Sequence, residues 1–98
     1  MEELKFTPGP WHEHREGFST VYVEATLRDG VIQEVAACGP TEAGSEQQFA
    51  NARLITAAPE LLESLREVIG SLGVMVKDPE NCPEIIKARA AIAKALGK

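Results

Sequence analysis

Two β-prone runs, STVYVEATL (19–27) and VIQEVAAC (31–38), flank Arg28-Asp29-Gly30, and no other stretch constrains the fold of this chain so closely. Asp-Gly is a preferred pair for a two-residue hairpin turn, whose twist matches that of the flanking strands. A turn centred on Asp29-Gly30 sets Arg28 opposite Val31, Leu27 opposite Ile32, Val23 opposite Ala36 and Val21 opposite Cys38. Strand side chains alternate between faces. This register therefore collects Val21, Val23, Ala25, Leu27, Ile32, Ala36 and Cys38 on one face, interrupted by Glu34. The other face carries Tyr22, Glu24, Thr26, Gln33, Val35 and Ala37 and is expected to be half exposed. A slip of one residue would exchange the two faces, so the pattern specifies the pairing.

Upstream, Pro8, Gly9 and Pro10 preclude a helix and favour extended or turned chain. Trp11 then opens WHEHRE (11–16), read as an edge strand with Trp11 and Glu13 on one side and His12 and His14 on the other. The single tryptophan is expected to close one end of the core, with its N–H bonded at the rim.

Downstream the period changes from strand to helix. SEQQ (45–48) fits a capping box, in which Ser45 caps the first turn and Gln48 reaches back to the Ser45 backbone. The helix runs on through 49–58, with Phe49, Ala52, Leu54, Ile55 and Ala58 on its apolar side. Pro59 interrupts that helix and fits the first position of a second, where its missing N–H costs nothing. From there Leu61, Leu62, Leu65, Val68, Ile69 and Leu72 make a wide apolar stripe, opposed by Glu60, Glu63, Arg66 and Glu67 and stopped at Gly73. Residues 74–82 read as a connector, with Val74 to Val76 extended. Cys82-Pro83-Glu84 starts a last helix with Ile85, Ala88, Ile92, Ala95 and Leu96 along one face. The expected fold is α+β: a small antiparallel sheet, hairpin plus edge strand, packed against two or three C-terminal helices. Residues 1–98 are expected to form a single domain, β-rich over 1–40 and helical over 45–98.

Composition removes several function classes. Aromatic residues are 5% of the chain against 44% hydrophobic, so the core must be aliphatic and alanine-rich. A net charge of −5, from 15 acidic and 10 basic residues, argues against non-specific nucleic-acid binding and against docking on anionic membranes. No signal peptide or membrane span is recognised, which points to the cytoplasm of a host cell. Cys38 and Cys82 are then expected to be reduced, small, buried hydrophobes, a disulfide between them being the lesser alternative. No phosphate loop, dinucleotide fingerprint, zinc-protease motif or nucleophile elbow occurs, so an enzyme is not expected, nor a cofactor.

Three sets of residues remain to be weighed. His12 and His14 have a spacing that can give two metal ligands, with Glu24 or Glu34 approaching from a neighbouring strand. The preferred reading is two partly exposed histidines on an edge strand, with no metal. The candidate ligand-binding residues are Arg53, Asn51 and Arg28, because the arginine fork suits phosphate. In the ordinary structural alternative, Asn51 bonds a loop or strand backbone, Arg53 pairs with an acid such as Glu42, and Arg28 is a solvated turn residue. The stripe from Leu61 to Leu72 packs on the hairpin or forms a partner face. Three apolar-faced helices exceed what two or three strands can cover, so a homodimer is expected.

TPGPW (7–11), NARLITAAPELLESL (51–65) and KARAAIAKALGK (87–98) resemble a widespread group of small phage and prophage proteins. Members of that group read TPGPW, a β-rich stretch, NARLIAAAPELLEAL and often a closing ARAAIAKA. The resemblance covers nearly the whole chain, is weakest over 12–46, and departs at Thr56 and Ser64, where the group has alanine. It implies a phage origin and leaves mechanism to the residues. The order of sheet then helices is also similar to that of phage anti-Thoeris sponges, which sequester cyclic nucleotide signals, although no binding motif matches. The expected function is a non-enzymatic, phage-derived protein that binds a host protein, its acidic surface suiting a basic, nucleic-acid-binding one. The alternative is a sponge that holds a nucleotide second messenger through Arg53 and Arg28. A small hydrolase is the remaining class.

Overall fold

The structure is a computed structural model, and it describes residues 4–17 and 19–98. Three strands, β1 (Trp11–Glu16), β2 (Thr20–Thr26) and β3 (Ile32–Cys38), precede three helices, α1 (Ser45–Thr56), α2 (Ala58–Met75) and α3 (Pro83–Ala95). A short 3₁₀ turn, Pro79–Asn81, stands between α2 and α3. The fold is α+β, as the two periods in the sequence imply. The chain divides into two compact units, one spanning Phe6–Glu60 and the other built on Leu61–Lys98.

In the first unit the strands form one antiparallel sheet in the order β1-β2-β3. The hairpin lies where expected, but its turn differs. Leu27 donates its N–H to the Val31 carbonyl and accepts from Gly30, both at 2.8 Å, so Arg28-Asp29-Gly30 is a three-residue connection. A two-residue turn of the Asn-Gly or Asp-Gly kind needs positive φ at both central residues. Here Gly30 has φ 85° and no described non-glycine residue has positive φ. The Asp29 carboxylate braces the turn by accepting from the Val31 N–H at 3.1 Å.

The longer turn moves the pairing by one residue, giving Thr26 opposite Ile32, Ala25 opposite Gln33 and Glu24 opposite Glu34. A bulge at Val35 then restores the expected register, with Val23 opposite Ala36 and Val21 opposite Cys38. Between the two irregularities the faces exchange. Ile32 leaves the expected core face and is 58% exposed. Glu34, expected to interrupt that face, moves off it, while Gln33 joins it opposite Ala25. The half-buried Val35, expected outside, packs against the core. The two shifts keep a carboxylate out of the apolar side.

β1 pairs with β2 so that Trp11, Glu13 and Arg15 share the face of Ala25, Val23 and Val21. The Trp11 indole N–H reaches the Thr7 carbonyl at 3.0 Å, the rim bond anticipated for it. α1 covers this face. Val21, Val23 and Ala52 form the buried centre, with Trp11, Val35, Ala36, Cys38, Phe49 and Ile55 packed around them. Ala52 is 0% exposed, which marks the closest approach of helix to sheet. The Arg15 guanidinium lies 4.1 Å from the centre of the Phe49 ring, joining β1 to α1 through a cation–π contact.

The anticipated capping box does not form. The N-cap is Gly44, at φ 100°, and no side chain caps the helix. Gln48 turns inward instead, and its amide N–H₂ donates to the Ser19 carbonyl at 2.9 Å and the Cys38 carbonyl at 2.8 Å. Two strand-end acceptors inside the unit outweigh a local bond that water can replace. α1 thus begins where β2 starts and β3 ends. Its apolar side is Phe49, Ala52 and Ile55, while Leu54, expected there, is 66% exposed. At 100° per residue Leu54 stands roughly 160–200° from Ala52.

α1 ends at Thr56, and α2 resumes at Ala58 with only Ala57 between. Pro59 is the cause, as its position suggested: it has no N–H for the Ile55 carbonyl, and in the first turn of a new helix none is needed. Gly9 packs on this proline. A Cβ added to Gly9 would lie 2.9 Å from the Pro59 Cβ, so TPGP and APELL meet through a contact only glycine permits. The Thr56 hydroxyl is buried with no hydrogen-bond partner.

In the second unit, α2 continues past Gly70 and Gly73 to Met75, so Val74 and Met75 form a last helical turn and not the extended piece expected. α3 starts at Pro83 with Cys82 as N-cap, where the sequence placed it. Ile85 is its fully buried residue. The helix ends in a Schellman motif, in which Lys98 N–H bonds the Ala93 carbonyl at 2.8 Å and Gly97 N–H bonds Lys94 at 3.1 Å. Gly97 supplies the required positive φ of 78°.

Candidate functional site

With α1 on one face of the sheet, the other face has no helix of its unit over it. Register places His12, Glu24 and Glu34 in a row across the three strands, with His14, Tyr22 and Ala37 in the next row. The His12 Nε2 is 3.8 Å from the Glu24 carboxylate. That separation is an electrostatic contact and too long for a hydrogen bond. The Glu24 side chain is 16% exposed against 46% for His12, so its carboxylate is drawn well into the strand surface. Glu34 sits opposite it on the edge strand, exposed. Like charges directly opposite one another oppose strand pairing.

His12 and His14 share a face as the alternation required, and Glu24 does approach His12. Among the described residues no group of three or more His, Cys, Asp or Glu side chains could hold a metal ion. Arg28, Asn51 and Arg53 are all exposed. Arg28 lies in the hairpin turn, and Asn51 and Arg53 flank the buried Ala52 on opposite sides of α1, since residues two apart do not share a helical face. Among the described residues no ion pair joins Arg53 to Glu42. Cys38 and Cys82 are free thiols, each half-buried and not fully buried as expected. The acidic side chains Glu60, Glu63 and Glu67 are exposed on α2. Arg89, at the border of the α3 stripe, bonds Glu80 at 3.0 Å.

The opposed carboxylates were hidden from sequence reasoning by the extra turn residue, which no local pattern announces. Gln48 was hidden because its capping role was locally plausible. Among the described residues no helix is long and apolar enough to cross a membrane.

The fold defines the class, a small α+β protein, and a family model covers the whole chain. That model, described as Salmonella phage P22 protein Y8K6, matches residues 1–98. The chain belongs to this phage protein family. No curated protein and no solved structure matches it.

Proposed function

We propose that the protein acts by binding and not by catalysis, and that its target is a basic host protein in the bacterial cytoplasm. The observation that supports this reading is the Glu24–Glu34 pair on the sheet face opposite α1. Two carboxylates placed opposite one another cost strand stability, and a cationic side chain seated between them would offset that cost. Tyr22 and the exposed Ile32 add aromatic and apolar surface beside them, the mixture that anchors protein interfaces. Such a contact is favoured at low salt and weakened as ionic strength rises.

The experiment is affinity capture from bacterial lysate with the wild-type chain and a Glu24→Gln/Glu34→Gln variant side by side, then direct titration of any difference with the purified protein. The expected result is a basic protein held by the wild type, released by added salt, and bound at least tenfold more weakly by the variant. If both baits retain the same proteins equally, the reading is wrong.

The alternative, sequestration of a nucleotide second messenger through Arg53, Asn51 and Arg28, draws less support because Asn51 and Arg53, two apart on α1, do not share a helical face. A thermal-shift series with cyclic nucleotides separates the two, since a ligand raises the melting temperature of the state it binds. A saturable rise lost in Arg53→Gln would favour the sponge.

A further inference from the structure

The observed extent of α2 changes how its apolar residues read. Ala58, Leu61, Leu65, Val68, Leu72 and Met75 fall at alternating spacings of three and four along the 18-residue helix. That is the a/d repeat of a coiled coil, kept from the first turn to the last. Leu62 and Ile69, on one side of this line, are half-buried. Within the line Ala58, Leu65 and Leu72 are half-buried, while Leu61, Val68 and Met75 are 54%, 51% and 79% exposed. The residues flanking those three are Ser64 and Ser71, both exposed and short enough to let another helix approach closely.

We propose that this line is a contact between two copies of the chain, with α2 antiparallel to the α2 of a partner copy. A heptad seam is met by a helix of the same spacing, and a second copy supplies one at every encounter. Charge sets the direction. Glu60 and Glu63 lie in the N-terminal half of α2 with Arg66, Glu67 stands at its middle, and no charged residue follows from Val68 to Met75 before Lys77. Asp78, beyond it, is bonded by Asn81 at 2.7 Å. Parallel packing would set acidic half beside acidic half and align like helix poles. Antiparallel packing sets Glu60 and Glu63 beside the partner's acid-free last turns and Lys77, with opposite poles adjacent. With the two-fold axis at Val68, that residue meets its own image, Leu61 meets the partner's Met75, and Leu65 and Leu72 close over the partner's Ser71 and Ser64. An 18-residue helix is about 27 Å long, and a contact one helix wide falls in the small class of interfaces, under roughly 1,200 Å². The dimer is therefore weak and concentration-dependent.

Sedimentation velocity of the full chain tests this independently of any host partner. The wild type should move from 10.6 kDa toward twice that mass as concentration rises to about 1 mM. Val68→Lys, with two like charges at the axis, should stay at 10.6 kDa throughout with an unchanged circular-dichroism spectrum. Leu61→Glu alone should also be monomeric. Leu61→Glu/Met75→Lys should regain the dimer, because antiparallel packing makes two opposite-charge contacts where parallel packing makes two repulsions. A wild type that remains monomeric, a Val68→Lys protein that still dimerises, or a double variant no better than Leu61→Glu would each overturn the proposal.

Discussion

α1 and α2 follow one another with a single residue between them, yet they are held in opposite ways. α2 has the stronger amphipathic pattern of the two and buries no residue. α1 is only weakly patterned and buries two, Gln48 and Ala52. The difference shows that a strong apolar stripe does not by itself secure burial. Strands lie about 4.8 Å apart, so a three-stranded sheet is roughly one helix diameter, ~10 Å, across. α1 fills that width. Its hold comes from a small residue that permits close approach and an amide that satisfies two strand-end carbonyls. Periodicity says which side of a helix would be buried, but it does not provide the surface to bury it.

The contrast can be broken most sharply at its polar anchor. Gln48→Leu keeps the volume of the side chain and removes both bonds to Ser19 and Cys38. Two part-buried carbonyls left without donors should lower unfolding stability by about 2–4 kcal/mol, read by urea denaturation. A loss below about 0.5 kcal/mol would mean that apolar packing alone holds α1. Gly9→Ala comes next. The added methyl falls 2.9 Å from the Pro59 ring, so either the entry segment or the α1–α2 junction must shift. The expected cost is about 1–3 kcal/mol, as for other overpacked sites. An unchanged melting temperature would show that the two segments do not bear on one another. The smallest effect belongs to α2. Leu61→Ser, at a site 54% exposed, should change monomer stability by no more than about 0.5 kcal/mol when measured at low micromolar concentration. A loss comparable to that of Gln48→Leu would erase the distinction between the helices.

Much of the fold was legible because its signals are local. Pro59 could only begin a helix or break one, and the structure has it in the first turn of α2. Pro83 behind Cys82 marked the start of α3 for the same reason, and the Trp11 N–H found its rim acceptor. The hairpin was legible in outline, since Val21 and Val23 pair with the residues expected of them. Its middle was not. Three loop residues and a bulge at Val35 cancel one another in register, and neither leaves a trace in the alternation at the hairpin's ends. Glu34 therefore read as a flaw in the core face when it stands opposite Glu24 on the other. The candidate site was less legible still. Asn51, Arg53 and Arg28 stand out only by residue type, and helical geometry separates the first two by about 200°.

The sequence by itself determined the order of strands and helices, the breaks at Pro59 and Pro83, and the membership of the chain in a phage family. Those depend on missing N–H groups, on glycine at positive φ and on the period of apolar residues, all properties of short segments. Only tertiary structure decided which stripe was buried, which face received Glu34, and that Gln48 would bond two strand ends and not its own helix. Each of those outcomes depends on partners distant in sequence, on the strand register across the sheet and on which carbonyls would otherwise go without a donor.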